Sequence, residues 1–327
     1  MPPGEGPSST TCQELGSGAA RSSTERRGPS HRLWFPPRHG TRALRAATVP
    51  APQRDAIAWV AVTNRSTSPG NPAEAGPGRP AGGGRLTGVG VGPGDPALLT
   101  RRAMAVLSAA DRVVAPVTAG AEPGRAEAVV RDALPDIAVT RLVFDMTPDT
   151  GPHDPSGADA RMRSHVAAAR ALVPWLAAGE HVAFVTLGDP NVYSTFPSLV
   201  GALARLGVRV PVDTVPGITA FQDLASRSGT VLLDGTGSLS LVTALDGPSH
   251  VAEALRDPDR TIVVYKGGRH LPAIAGLLAD HGRLEGAVLG ELLGLPGERV
   301  EPLATAADGP ASYLATVIVP PVTGAGR

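Results

Sequence analysis

The chain has 327 residues and a formal net charge of zero at pH 7, with thirty basic and thirty acidic residues. That length holds two domains of ordinary size, and the balanced charge offers no basic surface for nucleic acid or an anionic membrane. No apolar run reaches the length of a membrane span. A single cysteine, Cys12, excludes an internal disulfide and a cysteine-rich metal site, and fits a reducing cytoplasm.

Residues 1–84 differ from the rest. They carry ten arginines against five acidic residues, are rich in Pro, Gly and Ser, and close on a Gly/Pro/Ala stretch from Asn71 to Gly84. Such a composition buries too little apolar surface to offset chain entropy. The segment reads as a disordered or low-complexity extension and linker, or as sequence upstream of the true start codon. Its Arg-rich, acid-poor character faintly resembles a transit peptide; a secretory signal is not expected, because no apolar core follows the first residues. By difference, residues 85–327 hold twenty basic and twenty-five acidic residues, a mildly acidic body that also argues against a nucleic-acid groove.

Order is expected from Arg85. Leu86–Val91 reads as a first strand running into Gly92-Pro93-Gly94-Asp95-Pro96, followed by a helix over 97–109. A short strand over Arg112–Pro116, a helix over 124–133 and a strand over Val139–Phe144 come next. After a polar loop, 147–158, a long helix spans 160–178 with Pro174 inside it. His181–Thr186 is an apolar run of the kind that forms a strand buried on both faces. Then follow a helix over 197–206, a strand over 208–215, and a helix opening at Pro216-Gly217-Ile218-Thr219-Ala220. Ser228–Gly237 is a candidate hinge. Beyond it strands are expected at 238–243, 261–265, 287–293, 299–303 and 313–319, with helices at 249–255 and 270–281; the close spacing of the last three strands suggests an antiparallel portion. Strands alternating with helices imply a mostly parallel sheet. The fold class is therefore α/β, in two domains over 85–230 and 235–322, with a ligand cleft between them.

Three turns at strand ends carry the candidate chemistry. Leu187-Gly188-Asp189-Pro190 follows the buried strand, where open α/β sheets bind ligands. Gly188 allows close approach, Pro190 fixes the turn, and Asp189 is either a carboxylate at the cleft mouth or an ordinary helix cap. The loop Gly88-Val-Gly90-Val-Gly92-Pro93-Gly94-Asp95 is not a dinucleotide fingerprint. The third glycine of G-x-G-x-x-G falls on Pro93 or on Asp95, and an aspartate there repels a pyrophosphate. No Gly-Lys-Ser/Thr follows, so it is not a P-loop. Val264-Tyr265-Lys266-Gly267-Gly268 ends a later strand; Lys266, the only lysine, either pairs an acid or snorkels. The histidines, among them His153, His165 and His181, share no metal-ligand spacing, so no protein-bound metal is expected.

Taken together, Gly-x-Gly-Pro-Gly-Asp-Pro, Thr-Leu-Gly-Asp-Pro-x-x-Tyr-Ser-Thr-Phe and Val-Pro-Gly-Ile-Thr-Ala resemble the tetrapyrrole methylase family, the S-adenosylmethionine-dependent methyltransferases of corrin and sirohaem synthesis. Leu187–Phe196 is similar to the motif of the branch that methylates precorrin-2, or its cobalt form, at C20. Phe144-Asp145-Met146-Thr147 resembles that branch's Phe-Pro-Met-Thr segment, with Asp145 in place of proline. The resemblance runs from about Leu86 to Val319. It implies a cytoplasmic homodimer of two α/β domains with S-adenosyl-L-methionine folded in the cleft. Carried over by residue, Pro93, Gly188, Asp189, Pro190, Val192, Thr219, Ala220 and Lys266, or the Lys266 backbone, meet the donor, while Asp95 faces the tetrapyrrole; Tyr193 either packs on the donor or orients the macrocycle. Leu241-Val242-Thr243-Ala244 departs from the family by lacking a Leu-Pro, and Gly290-Glu291-Leu292-Leu293 is irregular.

The chemistry agrees with the absence of a hydrolase-type triad. A sulfonium donor needs no enzyme nucleophile, and the meso carbon of a reduced tetrapyrrole attacks as an enamine does. Alignment then supplies most of the catalysis, on the order of 7–11 kcal/mol in well-oriented reactions. Substrate carboxylates call for arginines, with Arg101, Arg102, Arg161, Arg163 and Arg227 as candidates. Three alternatives stay open: a sister methylase with another acceptor; a Rossmann-type oxidoreductase, which the misplaced glycine disfavours; and a non-catalytic scaffold with a decayed methylase domain, which the retained cleft motifs disfavour.

Overall fold

Five strands form a first, wholly parallel sheet: β1 (Arg85–Gly90), β2 (Arg112–Thr118), β3 (Val139–Phe144), β4 (His181–Thr186) and β5 (Val212–Val215), in spatial order β3-β2-β4-β1-β5. The computed structural model describes residues 83–118, 124–144 and 155–322, with the backbone alone for 155–159. The extension over 1–82, His153 and the Asp145–Thr147 part of the methionine segment lie outside the described residues. All described residues belong to one compact unit.

Every residue of β4 is buried, as its unbroken apolar run requires of a strand covered on both faces. Helices α1 (Arg101–Ala109) and α2 (Arg125–Ala133) pack on one face around Val89, Leu107, Val130 and Val185. Helices α3 (Pro155–Ala177) and α4 (Phe196–Arg205) pack on the other around Leu86, Phe184, Leu172 and Leu199. The adjacent strands β1 and β4 thus send their following helices to opposite faces. Their carboxyl ends open the crevice that such a switch in winding creates.

Helix α5 (Ala220–Ser228) leaves the first sheet and docks on the second through Leu224 and Ala225, which meet Val263, Leu293 and Ile318. That second sheet holds β6 (Ser238–Thr243), β7 (Arg260–Tyr265), β8 (Val288–Glu291), β9 (Arg299–Pro302) and β10 (Thr316–Val319), in order β6-β7-β10-β8-β9. Only β6 and β7 are parallel; β10 runs antiparallel to β7 and β8, and β8 to β9. Helices α6 (Ser249–Ala254), α7 (Leu271–Asp280) and α8 (Leu303–Ala306) close its far face around Ile262, Ile274 and Leu289.

Several boundaries differ from the sequence reading: α3 starts at Pro155, inside the expected 147–158 loop, and β10 only at Thr316. The helix expected over 97–109 is broken: Pro96–Leu98 is a single 3-10 turn, and α1 restarts because Thr100 Oγ1 accepts the Ala103 N–H at 3.1 Å. The strand expected from Val208 begins only at Val212, since the Val208 N–H is used to close α4 on Leu203 O. The short helix α8 follows the Pro302 turn and was not expected.

Candidate functional site

The three glycine turns of the first sheet touch one another. Gly90 ends β1, Gly188 follows β4 and Gly217 follows β5. A Cβ on Gly90 would stand 2.6 Å from Gly217 N, and one on Gly217 would overlap the Gly188 carbonyl and stand 2.8 Å from Gly90 Cα. Only hydrogen fits at these positions. The Gly188 N–H donates to Gly92 O at 2.7 Å, tying the first loop to the second. At Gly188 itself (φ 71°) a Cβ would meet nothing within 4 Å, so this turn faces open space while its neighbours are packed.

Asp189 joins the second loop to the third. Its Oδ1 accepts the Asn191 N–H at 2.8 Å and its Oδ2 accepts the Gly217 N–H at 3.0 Å. Both oxygens thus hold backbone, so the carboxylate shapes the turn. Pro190 is buried, and its carbonyl accepts from Ser194 Oγ at 2.6 Å. Val192, partly buried, donates its N–H to Asp189 O at 3.2 Å. Thr219 is buried at the entrance of α5, where Gln222 Oε1 accepts from its N–H at 2.9 Å and its hydroxyl at 2.8 Å; Ala220 follows as the first helical residue.

On the first loop Pro93 is buried, and Asp95 caps the 3-10 turn by accepting the Ala97 N–H at 2.8 Å. The second sheet closes in here. Gly94 lies so near Leu293 O that a side chain would overlap it, and a Cβ on Gly294 would stand 2.9 Å from Asp95 Cα.

Further contacts link the halves. Tyr193 donates its hydroxyl to Leu241 O of β6 at 3.1 Å, and Lys266 Nζ donates to Tyr193 O at 3.2 Å. Tyr265 accepts the Phe221 N–H of α5 at 3.1 Å. Burial pushes the Tyr265 phenol up to about 12 and also raises that of Tyr193, so neither is a base at neutral pH. The non-glycine residues with left-handed backbone among those described are Tyr193 (φ 49°), Lys266 (φ 59°) and Leu292 (φ 50°). Lys266 and Leu292 directly follow β7 and β8, and Tyr193 lies in the loop between β4 and α4. Each costs about 1–3 kcal/mol, a strain that collects where geometry matters more than stability.

The structure brings the predicted Pro93, Asp95, Gly188, Asp189, Pro190, Val192, Tyr193, Thr219, Ala220 and Lys266 onto neighbouring turns. Arg227, one of the expected arginines, is already engaged by Asp223 at 2.9 Å and Glu298 at 2.8 Å and does not serve a substrate carboxylate. Arg102 lines a separate open groove of about 500 Å³ along β5, with Thr87, His181 and Thr214, whose lining includes none of the strand-end turns. Tyr265 and Tyr313 fall within expected strands in the sequence, with no local motif marking them. Their signal was composition: a chain with three tyrosines places all three beside its one lysine. Among the described residues no three His, Cys, Asp or Glu side chains gather in a metal-binding group, and no helix is long and apolar enough to cross a membrane.

A parallel sheet with a switch crevice, met by the strand ends of a second mixed sheet, defines an α/β protein of two sheets with its glycine turns gathered on their seam. The chain belongs to the tetrapyrrole methylase family: residues 85–307 match the family model for tetrapyrrole (corrin/porphyrin) methylases. It is 36% identical to a precorrin-2 C(20)-methyltransferase of Sinorhizobium sp., over 72% of this chain and 95% of the relative. It is 31% identical to the cobalt-precorrin-2 C(20)-methyltransferase of Salmonella typhimurium, over 72% of this chain and 96% of that one. Among solved structures it resembles the uroporphyrin-III C-methyl transferase of Thermus thermophilus complexed with S-adenyl homocysteine, at 24% identity and a TM-score of 0.50, covering 72% of this chain and 97% of that one.

Proposed function

We propose that the chain transfers a methyl group from S-adenosyl-L-methionine to C20 of precorrin-2, or of its cobalt form, giving precorrin-3A or cobalt-precorrin-3 and S-adenosylhomocysteine. The observation that carries this reading is the mutual contact of Gly90, Gly188 and Gly217, which gathers all three cleft motifs in a chain 36% identical to a precorrin-2 C(20)-methyltransferase. S-adenosyl homocysteine, the spent donor, is bound in the Thermus thermophilus relative.

The donor fits the residues present. Open space stands before Gly188, and close-packed backbone surrounds it. In this reading the donor meets Gly188, Asp189, Pro190 and Val192, together with Pro93, the Thr219–Ala220 entrance of α5 and the Lys266 backbone. Bound there, the donor supplies an activated methyl. Asp189 fixes the turn that holds it, and Asp95 faces the acceptor's NH groups. Tyr193, with its phenol proton retained, offers its ring. Catalysis is then chiefly orientation. The proposal includes domains over 85–230 and 235–322, a homodimer and a cytoplasmic location.

A methylation assay tests it. The chain is incubated with S-adenosylmethionine and anaerobic precorrin-2, with and without cobalt, and the product mass and methyl position are read. One methyl at C20 is the expected result. A methyl elsewhere makes the chain a sister methylase, and donor binding with no tetrapyrrole product overturns the acceptor.

A further inference from the structure

Three tyrosines and one lysine occur in 327 residues, and they meet at one spot on the seam. Lys266 Nζ lies 5.8 Å from the Tyr193 ring centroid and 5.7 Å from that of Tyr313; Tyr193 in turn packs edge-on against Tyr265 at 6.0 Å. Tyr193 and Tyr313 are 45% and 48% exposed, and they are the aromatic members of the exposed large apolar side chains among the described residues. Both rings stay about half exposed although the Lys266 ammonium sits over them, so apolar ring surface and a positive charge lie side by side at the surface. Lys266 donates one hydrogen bond, to Tyr193 O, and an ammonium has three protons. No carboxylate among the described residues stands within ion-pair distance of it.

We propose that Tyr193, Lys266 and Tyr313 form the rim that recognises the acceptor: the rings take the flat face of the macrocycle and the Lys266 ammonium takes one of its peripheral carboxylates. This rests on the methylase reading and goes beyond it, since it adds Tyr313 and gives the Lys266 side chain to the acceptor while its backbone faces the donor. Tyr193 and Lys266, both with left-handed backbone, meet across the seam, with Nζ 5.8 Å from the ring centroid. An arginine in place of Lys266 would keep the charge but spread it over a larger, planar group.

The test uses the full chain and Lys266→Met, Lys266→Arg, Tyr313→Leu and Tyr313→Phe. Three quantities are read: methyl-transfer kinetics with precorrin-2, S-adenosylhomocysteine affinity by calorimetry, and binding of uroporphyrin III, a stable polycarboxylate tetrapyrrole, by fluorescence. Lys266→Met and Tyr313→Leu are expected to raise the acceptor KM at least tenfold, with kcat within threefold and donor affinity within twofold. Lys266→Arg and Tyr313→Phe recover most of the loss, and the salt dependence of acceptor binding becomes shallower in Lys266→Met. An unchanged acceptor KM in both variants overturns the proposal, and so does a tenfold loss of donor affinity. If wild type transfers no methyl to precorrin-2, the C20 reading falls separately. The rim then stands only if wild type binds uroporphyrin III and Lys266→Met does not; a wild type that binds no tetrapyrrole overturns it.

Discussion

The Asp189 carboxylate spans two turns, accepting the Gly217 N–H at 3.0 Å through one oxygen and the Asn191 N–H at 2.8 Å through the other. Asparagine at this position keeps one acceptor and turns an NH2 toward a backbone N–H. Asp189→Asn is expected to lose about 1–3 kcal/mol of stability, the cost of a broken partly buried charge-assisted bond. It should also weaken S-adenosylhomocysteine at least tenfold. Calorimetry and urea unfolding read the two effects, and unchanged donor affinity removes Asp189 from the site.

Gly217→Ala tests the glycine contact directly. The added methyl overlaps the Gly188 carbonyl, and backbone cannot rotate away as a side chain can. Overpacking of this kind costs about 1–3 kcal/mol, and the displaced Gly188 turn should abolish donor binding while circular dichroism stays native. A variant that binds the donor normally shows that the three turns need not touch.

Asp95 has two separable duties. As a cap it accepts the Ala97 N–H, worth about 1 kcal/mol, and an asparagine caps equally well. Asp95→Asn is therefore expected to melt like wild type, bind the donor normally and lose methyl transfer at least tenfold. Full turnover in Asp95→Asn together with loss in Asp95→Ala would reduce the residue to its cap.

For Tyr193 the ring and the hydroxyl are distinguishable. Its phenol is raised by burial and donates to Leu241 O, so it is no base at neutral pH. Tyr193→Phe should keep kcat within about threefold, whereas Tyr193→Ala loses the aromatic contact, about 0.5–1.5 kcal/mol beyond its buried area. Steady-state kinetics with precorrin-2 decide; a kcat collapse in Tyr193→Phe assigns chemistry to the hydroxyl.

His181 gives a pH signature of stability. It is buried, Arg85 donates to its Nδ1 at 2.9 Å, and its Nε2 proton therefore points to Thr87 Oγ1 at 2.9 Å. Burial first, then the Arg85 charge, lowers its pKa from 6.5 to about 4. The unfolded chain then binds the proton more readily, so stability is full above about pH 6.5 and falls as pH drops toward 4. The loss is at most about 3 kcal/mol. Urea unfolding at pH 7 and pH 4.5 should show a steeper loss in wild type than in His181→Gln; equal losses would place the titration elsewhere.

Local rules made much of this molecule legible before any coordinates. Apolar runs bounded by Gly and Pro placed the β4 strand, and turn chemistry placed Gly188, Asp189 and Pro190 at its carboxyl end, because both depend on neighbours a few residues away. The family resemblance followed from the same turns. What stayed hidden was pairing across the chain. Nothing near Asp189 announces that Gly217, 28 residues on, supplies its second hydrogen bond. Nothing in the α5 pattern says that Leu224 packs on the second sheet and not the first. The spacing 193, 265, 313 has no period that predicts three tyrosines around one lysine. Sequence by itself determined the elements, the glycine turns and the family, since propensity and steric freedom are properties of short segments. Tertiary structure alone decided which turns share a seam, which carboxylates are already occupied by backbone and which cation is left with protons to give, since those follow from distances between residues far apart in the chain.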